Sequence, residues 1–483
     1  MSDSVATGAL AARGLLCEEA SQGADELLAR LASSQTETVR VVFPDQHGIL
    51  RGKTLVASAL RSAFTTGLAV PGTLLLKDTS HRTAFDVWST DAEAATGPLR
   101  GASDVLLIPD PATFRPLPWS PRSAWLLCDV VHRDGTPIPF ASRTVLARAE
   151  RALADAGYAA LMGLEIEFHI FSITDPNRSH AATTMPGQPP VTQALTHGYQ
   201  FLTEDRYADA EEILDTLRQH AQGLGLPIRS IEIEMGPSQF EVTFDPAPPM
   251  AHADAMVMFR SMVKQVCAAR GLHATFMAKP VVSNACASGW HLHQSLRDLR
   301  DGSNVFTPKR ERKLTQEAGG WIAGLLARAG ESCLLTGPTV TSYKRYGAYQ
   351  LAPNAVHWGW DNRGAMLRAL MAPGDPASRI ENRVADPSAN PHFAFATQLL
   401  SGLSGIHAGL TAPEPALAPY DAAAPALPSD LGAAITAFQG SDLYRTSLGD
   451  AFVDYLSQLK SAEWRRYLNH LSEWEQAEYF SLF

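Results

Sequence analysis

Gly163-Leu164-Glu165-Ile166-Glu167-Phe168-His169-Ile170-Phe171 is a strand-like run whose two carboxylates stand two residues apart. A strand repeats its side-chain direction every second residue, so Glu165 and Glu167 share one face and Leu164, Ile166 and Phe168 the other. Two acids on one face repel unless a cation or a proton lies between them. The apolar flanks, 159–164 and 168–171, predict a buried strand rather than a solvated edge. The same spacing returns along the chain. Glu232 and Glu234 alternate in residues 230–234, and a Gly236-Pro237-Ser238 turn can bring Gln239 to Phe244 back beside them, so that Glu234 and Glu241 meet. His291 and His293 flank Leu292, and Arg379, Glu381 and Arg383 alternate in residues 378–383. A neutral imidazole nitrogen can join carboxylates around a divalent ion. Guanidiniums give bidentate recognition of carboxylate and phosphate, and Arg345, Arg363, Arg368, Arg379 and Arg383 all fall in residues 345–383. The spacing therefore predicts a two-metal, phosphate-handling site, although neither a Walker loop nor a GxGxxG opens a helix.

The chain of 483 residues is long enough for a large core and more than one domain. An apolar fraction of 45% and a charged fraction of 19% read as an ordinary globular protein. A net charge of −10 argues against a dedicated nucleic-acid binder, whose contact surface is basic. Cys17, Cys128, Cys267, Cys286 and Cys333 are odd in number and scattered, with no CxxC, so neither a disulfide framework nor a thiolate zinc site is predicted. That usage points to a reducing cytoplasm. Residues Met1-Ser2-Asp3-Ser4 do not open a secretory signal, and no stretch has the roughly 20 unbroken apolar residues of a membrane span.

Residues 1–36 predict a helical, poorly anchored segment, with Asp25 to Leu31 at helical spacing. Residues 37–135 predict short strands, clearest at 39–43, 105–108 and 125–130. Proline density from Pro109 to Pro121 and at Pro137 and Pro139 marks a boundary near 131–140. Beyond it, Ser142 is expected to cap a helix that Gly157 ends. Strands bearing the acids then alternate with helices at 209–224 and 251–270. Residues 411–429, rich in Ala and Pro, predict a surface crossover, and 431–483 predict helices.

Taken in order, the chain presents Glu-x-Glu at 165–167, Glu-x6-Glu at 234–241 and Ser-Gly-x-His-x-His-x-Ser at 288–295. Ser-Tyr-Lys-Arg follows at 342–345, Asn-Arg at 362–363, and Arg-Ile-Glu-x-Arg at 379–383 before Asp386-Pro387-Ser388-Ala389-Asn390-Pro391. With these motifs the chain resembles the glutamine synthetase family of the bacterial dodecameric type, from about Val39 to Phe483. It is most similar to the γ-glutamyl-amide ligases, such as the γ-glutamylanilide, γ-glutamylalkylamide and γ-glutamylpolyamine synthetases. The resemblance implies an α+β fold: a β-grasp domain over 37–135, then a catalytic α/β domain with a curved antiparallel sheet over 136–483. It implies a site in a funnel between subunits of a homo-oligomer, a dodecamer of two stacked hexameric rings. ATP, L-glutamate and two or three Mg²⁺ or Mn²⁺ ions are implied with it. One ion falls to Glu167, Glu234 and Glu241, and another to Glu165, His291 and Glu381. Arg363, Arg368 and Arg379 resemble the nucleotide and phosphoryl clamps, and Arg345 and Arg383 the partners of glutamate carboxyls or the acyl phosphate. His293 and Ser295 fall near the nucleotide. The implied reaction activates the glutamate γ-carboxylate as γ-glutamyl phosphate, which an amine nitrogen then attacks.

Two departures from the family bear on the amine. Glutamine-forming relatives carry a Glu before Ala-Pro in the loop after Lys-Arg, where it closes the site and helps take a proton from ammonium; here Leu351 precedes Ala352-Pro353. Ammonium needs acceptors and a negative neighbour, and leucine supplies neither. Asp45 matches the Asp that a neighbouring subunit lends to the ammonium site, and is retained as the candidate proton acceptor. Cys286 and Ala287 stand where those relatives hold Asn-Gly against glutamate. The amine expected is therefore a primary amine larger than ammonia. Loop 346–353 carries no acid, which favours an apolar monoamine, an aniline or alkylamine, over a polyamine. Trp290, Tyr349, Trp358 and Trp360 are candidates to line its pocket. A polyamine-using or ammonia-using enzyme is the alternative within the family, and a non-catalytic scaffold the alternative outside it. A scaffold would have lost metal ligands, and all six are present.

Overall fold

A computed structural model describes residues 4–88, 97–347, 351–420 and 423–483. Among these residues six strands build a first sheet: β1 (Thr38–Pro44), β2 (Leu50–Val56), β3 (Leu68–Pro71), β4 (Asp104–Pro109), β5 (Arg115–Leu117) and β6 (Ser120–His132). Their order is β2–β1–β6–β4–β3, with β5 also on β6. β1 and β6 run parallel and the other neighbours antiparallel. The N-terminal helices dock on this part of the chain, against the expectation of poor anchoring. Leu27 and Leu31 of helix Glu18–Ala32 are buried one turn apart, and Asp25 accepts hydrogen bonds from Ser4 and the Val5 N–H.

β6 ends at His132 and the next helix, Ser142–Asp155, opens the larger part of the molecule. Ser142 does not cap that helix. Its hydroxyl donates to the Asp45 carbonyl at 2.8 Å and accepts from Asn390 at 2.8 Å, which ties the β1–β2 turn to the body. Gly157, at φ +88°, supplies the left-handed step after the helix end.

Among the described residues nine strands form the second sheet: β7 (Tyr158–Asp175), β8 (Val191–Ala194), β9 (Ile228–Ile233), β10 (Gln239–Ala247), β11 (Leu272–Thr275), β12 (Trp290–Asp298), β13 (Trp358–Trp360), β14 (Leu367–Leu370) and β15 (Arg379–Asn382). The order is β13–β14–β15–β12–β7–β10–β9, with β8 and β11 also on β7. Every pairing is antiparallel except β13 with β14. β7 alternates as its sequence predicts. Met162, Leu164, Ile166 and Phe168 are buried, and Gly163, Glu165 and Glu167 are half-buried. The apolar face packs on helix Pro249–Ala268, where Phe168 meets Phe259 edge to face at 5.9 Å. Helix Pro391–His407 lies on the same side, with Phe395 against Trp290 at 5.4 Å. Its start is fixed locally: Asn390 caps the His392 N–H, and Pro391 takes the first helical position. Helix Glu204–Gly223 begins before the expected 209, with Glu204 and Asp205 favouring its positive end. The opposite face of the sheet is thereby left for the polar residues.

Candidate active site

β7 is the centre of the site, because its register places acids beside acids. Glu241 of β10 stands opposite Glu167, and His291 of β12 opposite Glu165. β15 sets Glu381 opposite His293, and β14 sets Arg368 opposite Glu381. Opposed residues on one sheet face lie about 4.5–5.5 Å apart at Cβ, so pairing alone gathers these groups. Glu234 arrives from the turn after β9, which Ser238 closes at φ +58° while its hydroxyl accepts from the Leu195 N–H at 2.6 Å.

Among the described residues, potential ligand atoms lie within 4.8 Å of one another in three trios: Glu167–Glu234–Glu241, Glu165–Glu241–His291 and Glu165–His293–Glu381. The first is the trio expected for one ion. For the other, His291 Nδ1 is 3.0 Å from Glu165 and 3.8 Å from Glu381, yet the trio containing Glu381 is completed by His293. Hydrogen bonding separates the two rings. Arg379 Nε, which can only donate, points at His293 Nδ1 at 3.1 Å. The proton of that ring therefore sits on Nε2 and is donated to Glu165 at 2.9 Å. Both His293 nitrogens are engaged, and its role here is to orient Glu165. His291 faces carboxylates only, with Nε2 3.8 Å from Glu167, and is the ring able to offer a lone pair.

The electrostatics fit a site built for added positive charge. Burial, then the neighbouring Glu167, pushes Glu234 up to about 8 and Glu241 up to about 10. Burial also opposes ionisation of Glu165, but the hydrogen bonds from His291 and His293 outweigh it and hold the carboxyl below the usual range. Glu381 is likewise buried, and the Arg383 guanidinium followed by His291 brings it down to about 2. Acids that keep protons at neutral pH, grouped with one available imidazole, are the oxygen-rich donor set that Mg²⁺ or Mn²⁺ prefers.

The arginines divide by position. Arg383 contacts Glu381 directly and Arg368 bonds both Glu381, at 3.0 Å, and Asp361. Arg345 is buried, donates to the Val384 carbonyl and lies 3.8 Å from Asp386. Arg363 is exposed. Ser295 is half-buried on the same β12 face as His291 and His293. Cys286 and Ala287 are half-buried beside the Glu234 turn, where the Cys286 amide would lie 3.0 Å from a Cβ placed on Gly236. Leu351 is 51% exposed at φ +54°, and Tyr349 lies outside the described residues. Trp290 is on the opposite face from His291 and belongs to the core. Trp358 is also core, donating to the Pro413 carbonyl at 2.7 Å with Trp360 against it, so neither Trp290 nor Trp358 lines an open pocket.

Asp45 stands apart from the cluster. It is wholly buried, one carboxylate oxygen accepts from the His47 and Ile49 N–H groups, and the other from Arg51 at 2.6 Å. Those bonds hold the β1–β2 turn. Asp45→Asn is therefore expected to lower unfolding stability by about 1.5–3 kcal/mol in urea titrations. A loss of kcat at unchanged stability would instead support Asp45 as the proton acceptor.

Sequence reading missed Gln239, which is buried and donates to Glu167, and Ser288, which is buried against Gln239. Gln239 carried a signal, since it stands two residues before Glu241 on one strand face. A cavity of about 610 Å³ lies elsewhere, between residues 46–50, helix Pro249–Ala268 and helix Asp450–Leu468, and none of the clustered acids lines it.

The glutamine synthetase catalytic-domain model matches residues 140–479. The γ-glutamylanilide synthase of an Acinetobacter species is 36% identical, over 95% of this chain and 96% of that protein. The glutamate–isopropylamine ligase of a Pseudomonas species is 30% identical, over 92% and 95%. The solved ADP complex of GmaS superposes with a TM-score of 0.79 at 26% identity, over 94% of this chain and 99% of that one. With the clustered acids of the second sheet inside the matched region, the chain belongs to the glutamine synthetase family.

Proposed function

We propose that the protein is an ATP-dependent ligase joining the γ-carboxylate of L-glutamate to a primary amine, best an apolar monoamine such as an aniline or alkylamine. The observation that carries this is the acid–imidazole cluster across β10, β7, β12 and β15, with Arg368 and Arg383 on Glu381. Two relatives named for anilide and isopropylamine ligation support the amine class. Glu167, Glu234 and Glu241 would hold one divalent ion and Glu165, His291 and Glu381 another; when bound, such ions neutralise phosphate charge and polarise the transferring phosphoryl group.

The residues of the chain supply position and charge. Arg363, Arg368 and Arg379 hold the phosphates of ATP, while Arg345 and Arg383 face the glutamate carboxyls. A γ-carboxylate oxygen attacks the γ-phosphorus and ADP leaves. The amine nitrogen then attacks the acyl carbon, phosphate leaves, and the nitrogen gives up a proton. Little covalent chemistry falls to the protein, which suits a site of acids and guanidiniums. His293 and Ser295 lie toward the nucleotide, and Cys286 and Ala287 toward glutamate. The enzyme acts in the cytoplasm as a homo-oligomer, a dodecamer of stacked rings, in amine catabolism. Among the described residues no helix is long and apolar enough to cross a membrane.

The test is ADP release with L-glutamate and a panel of amines. Aniline or a short alkylamine is expected to turn over fastest, and Leu351→Glu to raise ammonium turnover by about tenfold or more, the equivalent of roughly 1.4 kcal/mol of transition-state stabilisation. Fastest turnover with ammonium would make it a glutamine synthetase, and a putrescine optimum would remove the apolar preference. No release with any amine would favour the scaffold.

A further inference from the structure

Gln239 is 1% exposed, and both ends of its amide are hydrogen-bonded. Its Oε1 accepts from the Gly236 N–H at 2.8 Å, inside the turn that carries Glu234. Its Nε2 faces three acceptors: Glu167 Oε2 at 3.1 Å, the Ala287 carbonyl at 3.1 Å and Ser288 Oγ at 3.2 Å. Gly236 N–H can only donate and the Ala287 carbonyl can only accept, so the amide cannot flip. Glu167 Oε2 also accepts from the Gly289 N–H at 3.0 Å. That oxygen is thus saturated by two donors. The other, Oε1, is the one that faces His291 at 3.8 Å.

We infer that Gln239 is a positioning residue. It aims one oxygen of Glu167 into the Glu167–Glu234–Glu241 trio and locks that trio to the Cys286–Gly289 segment. The inference rests on the proposed metal-binding role of the acids. An isolated carboxylate rotates about its terminal torsion, and a donor fixed on one oxygen selects which oxygen is presented. Ser288 extends the support, since its hydroxyl lies 3.4 Å from His169 Nδ1 and is buried with it.

Mn²⁺ titration of the full chain, followed by calorimetry and by the EPR signal of free Mn²⁺, tests this. Wild type is expected to show at least two classes of site. Glu234→Gln identifies the class that contains Glu167, because Glu234 belongs to that trio alone. Gln239→Met keeps the shape but donates nothing, and should weaken the same class roughly 10–100-fold while leaving the other unchanged. Gln239→Leu also lacks the donor, and should weaken the same class if the Met variant does not fold. Absence of any Mn²⁺ binding by wild type overturns the reading of the acids and this inference together. Loss of one class in Glu234→Gln but not in either Gln239 variant leaves the acids standing and removes the role of Gln239. A lower melting temperature with both classes intact has the same meaning: the residue is then structural only.

Discussion

Glu381→Gln is expected to abolish ADP release and to cost the folded chain about 3–5 kcal/mol, the usual penalty for breaking a buried ion pair from one side. Glu381 is wholly buried, with Arg383 on one oxygen and Arg368 on the other. An amide in its place bears no charge, so the buried Arg383 guanidinium loses its counter-ion. Its cost exceeds that of a surface pair, which is about 0–1 kcal/mol. Urea unfolding read by fluorescence measures the stability term, and ADP release measures the catalytic one. Unchanged stability would mean that the two arginines find other partners, and the charge architecture described above would be wrong.

Glu241→Gln should behave in the opposite way in stability while matching it in activity. Glu241 keeps its proton because burial and then Glu167 disfavour its charge. Glutamine imitates that neutral acid, so the metal-free variant should stay within about 0.5 kcal/mol of wild type, as for an undisruptive substitution. Mg²⁺ should then separate them. A ligand at 100 times its Kd stabilises the folded state by about 2.7 kcal/mol. Wild type should show that gain as a rise in melting temperature, and Glu241→Gln most of its loss, because Glu241 belongs to two of the trios. Turnover should fall by about a thousandfold or more, given the several kcal/mol that metal charge contributes to such transition states. A variant that still gains stability from Mg²⁺ would place the ion elsewhere.

The part of the site legible in the sequence was the part carried by strand periodicity. Glu165 and Glu167 share a face because alternate strand residues must, and His291 and His293 follow the same rule. That rule also assigns Trp290 to the opposite face, which is where the structure puts it, so its candidacy for an amine pocket conflicted with information already in the chain. Which acid stands opposite which depends on register, set by pairing across residues far apart in sequence. The division of labour between His291 and His293 was hidden for that reason, since it turns on Arg379, 86 residues from His293. Ser142 is illegible for another reason. A local capping role is available to it, but the partner that occupies its hydroxyl, Asn390, appears only after folding. The N-terminal helices follow the same logic: Leu27 and Leu31 were visible at helical spacing, but the surface that buries them was not.

Direct transfer of the ATP γ-phosphoryl group to the glutamate γ-carboxylate is the step on which the proposed reaction turns. L-glutamate labelled with ¹⁸O in its γ-carboxylate, turned over with ATP and the preferred amine, reads this directly by mass spectrometry of the released phosphate. A labelled oxygen is expected to move from glutamate into phosphate with each amide formed, because the attacking oxygen leaves with the phosphoryl group. Unlabelled phosphate accompanying labelled amide would contradict it.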